Sequence, residues 1–344
     1  MKRPRIMSNI STLFAILALA AAAACAAQSV LAQQGGPVPL PPGAQQQPAP
    51  GAPAAPATGA NTNLPAQAVA PNGAPRPPRA IVLGPDDKPA FPPAPAGFDQ
   101  VRDGVPHGTL EMVQYHSTTV GTDRHMLIYT PPGYSRRHKY PVLYLLHGIG
   151  GDEYEWKNDG APDVILDNLL ADKKIVPMIV VFPNGRAKAD DRPQGNIYSA
   201  DNIQAFANFD GDLLNDIIPY IQSHDHAKSG PQNQALAGLS MGGGQALNIG
   251  LSHLGTFDWV GGFSSAPNTR RPEDLIPDPA LARQDLKLLW ISGGDQDGLI
   301  DIGQGLHAYF KEQNVPHIWH VDSGPHNYTV WKNDLYLFSQ LIFR

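Results

Sequence analysis

Apolar residues follow two rhythms along this chain, and both begin only near Gly97. From there to Arg344, short runs dense in Val, Ile, Leu and aromatic residues alternate with longer stretches of helical spacing. The β-rich runs Leu110–Ser117 and Arg124–Thr130 come first, with Val120-Gly121-Thr122-Asp123 as turn material between them. Val142–Leu146 (VLYLL) is apolar without a break, which marks a strand covered on both faces. Met178–Phe182, Gln234–Leu239, Trp259–Phe263, Leu286–Ser292 and Ile318–Val321 are the further strand candidates. Helical spacing predicts helices over Asp163–Lys173, Phe206–Ser223, Met241–His253, Ile302–Asn314 and around Thr329–Phe343. Such regular alternation predicts a mainly parallel sheet with helices on both faces, the doubly wound α/β class. In that class ligands bind beyond the carboxyl ends of the strands, so the residues just after each strand carry the interest.

Before Gly97 both rhythms are missing. Residues 33–96 are dominated by Pro, Ala, Gly and Gln, and hold 18 of the chain's 35 prolines. Few of these side chains could anchor a core, so the segment cannot offset its own ordering entropy and is expected to be a disordered linker. Ahead of it, Lys2, Arg3 and Arg5 precede the uncharged run Leu13–Ala27. That is the layout of a secretory signal peptide, and the run is too short and alanine-rich for a transmembrane helix. The expected organisation is therefore a signal peptide at 1–32, a linker at 33–96 and one domain at 97–344. Cleavage is expected after Ala32, with Ala27 the alternative, and either cut removes Cys25, the only cysteine.

Ala-Ala-Ala-Cys ending at Cys25 also reads as a weak lipoprotein site, at which the cysteine would be kept and lipidated. The preferred expectation is a secreted or periplasmic protein without disulfides, stabilised by a sizeable core. Loss of Lys2, Arg3 and Arg5 takes the formal charge from −6 to −9. An acidic chain without Lys/Arg clusters argues against nucleic acid and anionic membranes as partners.

One stretch carries specific chemistry. Gly238-Leu239-Ser240-Met241-Gly242 matches G-x-S-x-G, with a buried strand candidate leading in and a helix leading out. In that context the serine sits on a sharp turn as a nucleophile, whereas the bare motif would be weak. A nucleophilic serine needs a base, and the base an orienting acid. His326 follows the last strand candidate, where a base belongs, while His320 lies within that strand and reads as packing. Asp295 and Asp297, in the polar turn after Leu286–Ser292, both qualify as the acid. The oxyanion of an acyl-transfer intermediate needs N–H donors: Met241, after the nucleophile, supplies one, and Ile149 in His147-Gly-Ile-Gly-Gly151 the other. Neither a cofactor nor a metal is required. Asn184, Asn268 and Trp331 are candidates for the substrate pocket, each equally readable as structural, and the pocket is otherwise unassigned.

Tyr140-Pro-Val-Leu-Tyr-Leu-Leu-His-Gly-Ile-Gly-Gly151, Gly238–Gly250, Ser264-Ser-Ala-Pro-Asn-Thr269 and Gly324-Pro-His-Asn-Tyr-Thr-Val-Trp331 together resemble carbohydrate esterase family 1 and the esterase D-like α/β-hydrolases. The likeness is greatest to feruloyl esterase domains attached to bacterial xylanases, and covers Gly97 to the C-terminus. It implies an α/β-hydrolase fold with Ser240 as nucleophile, His326 as base, Asp297 as acid, and Ile149 and Met241 as oxyanion donors. Asp297-Gly-Leu-Ile300 fits the family pattern, which separates it from Asp295. The implied activity is hydrolysis of feruloyl esters of plant cell-wall polysaccharide, or of small aromatic esters, through an acyl-enzyme. Acetylxylan hydrolysis and acyl transfer are alternatives on the same scaffold, and a non-catalytic, envelope-tethered binding protein is the alternative of another class. Residues 1–344 are expected to hold no xylanase or carbohydrate-binding module beside this domain. Residues 264–285, between two strand candidates, are too few for a large helical lid.

Overall fold

The structure, a computed structural model, describes residues 80–344. The signal peptide, Cys25 and linker residues 33–79 lie outside the described residues. Eight strands form one sheet in the order β1-β2-β4-β3-β5-β6-β7-β8. They are β1 Thr109–Ser117, β2 Thr122–Thr130, β3 Val142–Leu146, β4 Ile179–Pro183, β5 Gln234–Leu239, β6 Trp259–Phe263, β7 Leu288–Gly294 and β8 Ile318–Asp322. β3 to β8 run parallel, and β1 and β2 add an antiparallel edge. The helices are α1 Pro162–Ala171, α2 Ala200–Asp212, α3 Ile218–His224, α4 Ser240–Ser252, α5 Pro272–Leu275, α6 Pro279–Asp285, α7 Ile300–Glu312 and α8 Tyr328–Ser339.

The unbroken apolar runs explain the two-layer core. In β3, Val142, Tyr144 and Leu146 join one hydrophobic layer with Phe209 of α2, Ala246 and Leu247 of α4, and Phe310 of α7. Leu143 and Leu145, pointing the other way, join Ile165, Leu166 and Leu169 of α1 with Leu335 and Phe338 of α8. Both faces of the strand are thus buried, as its composition requires. Residues 264–287, between β6 and β7, hold only the short helices α5 and α6, so no large helical lid is inserted there. No helix among the described residues is long and apolar enough to cross a membrane.

Several elements are shifted by one or two residues from the sequence expectation, β7 among them at Leu288–Gly294, and three differences have a physical reason. β2 starts earlier, with Thr122 and Asp123 paired to Ser117 and His116. The helix expected at Phe206 begins at Ala200, where the Ser199 side chain accepts the Asn202 N–H. It widens into a π-type turn at Leu213–Ile217 just before Pro219, which has no N–H to continue the regular ladder.

The third difference concerns residues 80–96, which composition assigns to the linker. They run along β8 as a strap. The Asp87 carboxylate accepts the Trp319 indole N–H at 2.9 Å, and the Lys88 carbonyl accepts the Val321 N–H at 3.2 Å. Ala90 N–H donates to His320 Nδ1 at 3.0 Å and Ala94 N–H to Asn333 Oδ1 at 2.6 Å. Phe91 stacks on Trp290 with centroids 5.9 Å apart. Attachment here comes from main-chain hydrogen bonds, the carboxylates of Asp86 and Asp87 and one ring, a pattern that composition does not register. His320 accordingly has a structural position, its other nitrogen 3.0 Å from Asp322 Oδ1. Phe91→Ala is expected to lower unfolding free energy by about 1–2 kcal/mol, from lost stacking and partial burial, without changing kcat. Urea denaturation measures this; an unchanged midpoint would leave the strap held by its hydrogen bonds alone.

Candidate active site

β5 lies in the middle of the sheet between β3 and β6, and α4 starts at the residue after it. The chain must therefore turn within one residue, and Ser240 takes φ 51°, in the left-handed region that side chains avoid. Holding a non-glycine residue there costs roughly 1–2 kcal/mol, which the surroundings must impose. A Cβ on Gly238 would lie 2.6 Å from the Gly242 main chain, and one on Gly242 would lie 2.4 Å from the His147 carbonyl oxygen. Glycine at both positions is what lets the turn close. The Ala266 N–H donates to the Ser240 carbonyl at 3.0 Å and pins the strained peptide.

His326 sits in the loop between β8 and α8, whose start is capped by Asn327 Oδ1 accepting the Thr329 N–H. Its Nε2 lies 2.9 Å from Ser240 Oγ, and its Nδ1 2.8 Å from Asp297 Oδ2. Asp297 is fully buried, with its other oxygen accepting the Leu299 N–H at 2.8 Å. A carboxylate only accepts, so the proton between them belongs on Nδ1, leaving the Nε2 lone pair free to receive the serine proton. Asp295 faces elsewhere. Its Oδ1 accepts the Gly324 N–H at 2.8 Å and its own N–H donates to the Asp322 carbonyl, bracing the loop that carries His326. The structure thus brings Ser240, His326 and Asp297 together and separates the two acids by position. Trp331 meets His326 edge-on at 4.9 Å and Tyr328 at 5.0 Å, and Tyr328 meets Trp156 at 5.5 Å. This column of perpendicular rings backs the imidazole.

Beside the serine, the turn after β3 is held from several directions. His147 Nε2 accepts the Gly185 N–H at 2.8 Å, so its Nδ1 carries the proton and donates to the Gly148 carbonyl at 2.7 Å. Burial pushes His147 down to about 4, which keeps it neutral. Gly148 N–H donates to Glu155 Oε2 at 2.7 Å, and the Ile149 carbonyl accepts Arg186 Nη2 at 2.5 Å. Ile149 is half-buried and its N–H has no partner among the described residues. Met241 is buried in the first turn of α4, where N–H groups have no carbonyl four residues back.

Of the other candidates, Asn184 is fully buried, donating to Glu153 and the Asp191 carbonyl while accepting the Arg186 N–H. It knits the loop after β4 rather than facing a cleft. Asn268 Nδ2 donates to the Met241 carbonyl at 2.9 Å and thereby steadies the first turn of α4. Glu155 and Arg186 were not singled out by sequence reasoning, because nothing in DEYEWKND or in NGRAKADD marks which charge folds back onto the turn. Among the described residues no group of three or more His, Cys, Asp or Glu side chains could hold a metal.

With this geometry in place, comparison with known proteins is informative. The Esterase family model, described as "Putative esterase", matches residues 117–338. An endo-1,4-beta-xylanase/feruloyl esterase of Xylanibacter ruminicola is 30% identical over 259 residues, which are 72% of this chain and 33% of that protein. The chain spans about a third of the length of the first curated relatives it matches. A CE1 ferulic acid esterase of Anaeromyces mucronatus, solved with ferulic acid, is 25% identical with TM-score 0.66, covering 73% of this chain and 96% of that one. An S-formylglutathione hydrolase of Staphylococcus aureus, 18% identical with TM-score 0.54 over 69% of this chain and all of that one (100%), shares the fold. The match over residues 117–338, on the eight-stranded sheet and its flanking helices, shows that the chain belongs to the Esterase family, carboxylic-ester hydrolases built on the α/β-hydrolase fold.

Proposed function

We propose that this protein is a secreted serine carboxylesterase that hydrolyses hydroxycinnamoyl esters, feruloyl above all, of plant cell-wall polysaccharide. The observation that carries the reading is the hydrogen-bonded series Asp297–His326–Ser240, ending on a serine held at φ 51°. Ser240 Oγ attacks the ester carbonyl while His326 Nε2 takes its proton, and the negative oxygen that forms is met by the N–H groups of Ile149 and Met241. The C–O bond to the sugar breaks, and His326 returns the proton to the departing alcohol. Water then attacks the acyl-enzyme with His326 again as base, releasing the carboxylic acid and restoring Ser240. Asp297 stabilises the imidazolium in both halves.

The acyl assignment draws support from the Xylanibacter relative's name and from the ferulic acid bound in the Anaeromyces neighbour. An ester on a bulky polymer suits a site with no large helical lid inserted between β6 and β7. Tyr154 and Tyr198, on the loops after β3 and β4, are the exposed aromatic side chains among the described residues, and sugars stack on such rings. Residues 1–32 are proposed as the signal peptide and the domain is placed downstream of the linker.

The test compares kcat/KM on methyl ferulate, acetylated xylan and p-nitrophenyl acetate, with rapid quenching and intact-mass analysis of the enzyme. A preference of about tenfold or more for the feruloyl ester is expected, which corresponds to about 1.4 kcal/mol of transition-state binding. A feruloyl adduct should also be found on the peptide containing Ser240. Preference for acetylated xylan would overturn the acyl assignment, and an adduct elsewhere would overturn the mechanism. The mass of the mature N-terminus checks the location: a diacylglyceryl group on Cys25 would replace the soluble reading by an anchored one.

A further inference from the structure

The turn Gly148–Gly151 is gripped from two sides, by a carboxyl group and by a guanidinium. On one side the Glu155 carboxylate accepts the Gly148 N–H at 2.7 Å. The turn wraps this group so closely that a Cβ on Gly151 would lie 1.8 Å from Glu155 Oε2. On the other side the Arg186 guanidinium donates to the Ile149 carbonyl at 2.5 Å and to the Gly151 carbonyl at 3.2 Å. Arg186 is itself fully buried, with its guanidinium 5.0 Å over the Phe206 ring. The Gly148 carbonyl is occupied as well, by His147 Nδ1 and by the Gly151 N–H at 3.2 Å. Of the polar main-chain groups on Gly148 and Ile149, only the Ile149 N–H has no partner among the described residues.

We propose that Glu155 is a positioning residue for the oxyanion site, acting through Gly148 and against Arg186 to fix the direction of the Ile149 N–H. The inference rests on the reading of Ser240 and Ile149 given above. Its physical basis is that preorganised donors help only if their dipoles already point where charge will develop. With the Gly148 N–H and the Ile149 carbonyl both held by hydrogen bonds, the peptide between them is restrained from rotating when the substrate's carbonyl oxygen becomes an anion. The link from Glu155 to the oxyanion site is its hydrogen bond from the Gly148 main chain. Burial pushes its carboxyl up to about 7 while the Gly148 hydrogen bond works to lower it. An acceptor oxygen, rather than a full charge, is what the geometry needs.

Substitutions test this with separable signatures. Glu155→Leu removes the acceptor, and kcat on methyl ferulate should fall by roughly 10- to 100-fold with KM nearly unchanged, since only transition-state stabilisation is lost. An aryl boronic acid, which forms a tetrahedral adduct on the serine, should lose affinity by a similar factor. Glu155→Gln keeps an oxygen facing Gly148 and should recover most of kcat. Gly151→Ala drives a methyl into the carboxylate and should reproduce the kcat loss without altering Glu155. In a Glu155→Ala background the same Gly151→Ala change should cost clearly less than in the parent, because the carboxylate oxygen at 1.8 Å and its carbon at 2.5 Å are gone and only the Cβ at 2.8 Å remains.

Parental kcat in Glu155→Leu, a loss confined to KM, or additive costs in the double variant would overturn the proposal. If Glu155→Leu does not fold, the Gly151→Ala pair of measurements decides alone. Ser240→Ala is measured alongside: an active Ser240→Ala variant sinks the site reading itself, whereas an inactive one beside a fully active Glu155→Leu sinks only this inference.

Discussion

Ser240→Ala is expected to lower kcat on a feruloyl ester by about 10⁴-fold or more while leaving the unfolding midpoint near that of the parent. The chemical loss is expected to be total for the acyl-enzyme route, because among the described residues Ser240 supplies the hydroxyl hydrogen-bonded to His326 Nε2, at 2.9 Å. The residual rate comes from whatever the oxyanion donors still do for direct attack by water. Stability is expected to hold because alanine keeps a Cβ at φ 51° and the elbow's supports, Gly238, Gly242 and the Ala266 N–H, do not touch the hydroxyl. Initial-rate kinetics and thermal melting on the same preparation check both halves. Retained turnover with an intact fold would remove Ser240 from the mechanism.

The second large effect is expected at Asp297. Asp297→Asn puts an amide where a carboxylate now accepts from His326 Nδ1 at 2.8 Å. An amide N–H turned toward the ring favours the tautomer whose proton sits on Nε2, where it blocks removal of the Ser240 proton. The kcat should fall about 10³- to 10⁴-fold near neutral pH. Asp295→Asn is the matched control, two residues away on the same turn. Its carboxylate holds only the Gly324 N–H at 2.8 Å, and the amide oxygen of asparagine can take that bond over. A loss below about tenfold is expected there, in the range of one weakened neutral hydrogen bond. A larger loss at Asp295 than at Asp297 would reverse the assignment of the two acids.

How far these residues could be found from the chain alone depends on what each does. β3, β5 and β6 have the bounds their apolar runs suggest, since burial on both faces leaves no polar residue to blur the ends. The early start of α2 was hidden because Ala200–Gln204 is mostly polar and its signal is a single capping serine. Ser240 and His326 stand out because glycines and strand ends mark them. Asp295 and Asp297 are indistinguishable by composition, and only the family pattern or the fold separates them. Glu155 and Arg186 left no trace, because each acts by bending back onto main chain from a stretch crowded with other charges. Asn184 and Asn268 mislead in the opposite way: polar and close to the motifs, they spend their hydrogen bonds on the scaffold.

The strap along β8 has a further consequence. β8 is the last strand of the sheet, and a terminal parallel strand presents main-chain donors and acceptors to any extended peptide that comes near. Lys88 occupies one of these donors, at Val321, and Phe91 shields the neighbouring aromatic surface of Trp290. A chain trimmed to begin at Gly97, where the compositional boundary lies, would bare that border and invite copies to pair edge to edge. The proline-rich stretch that looks dispensable thus ends in residues that cover part of an open sheet edge.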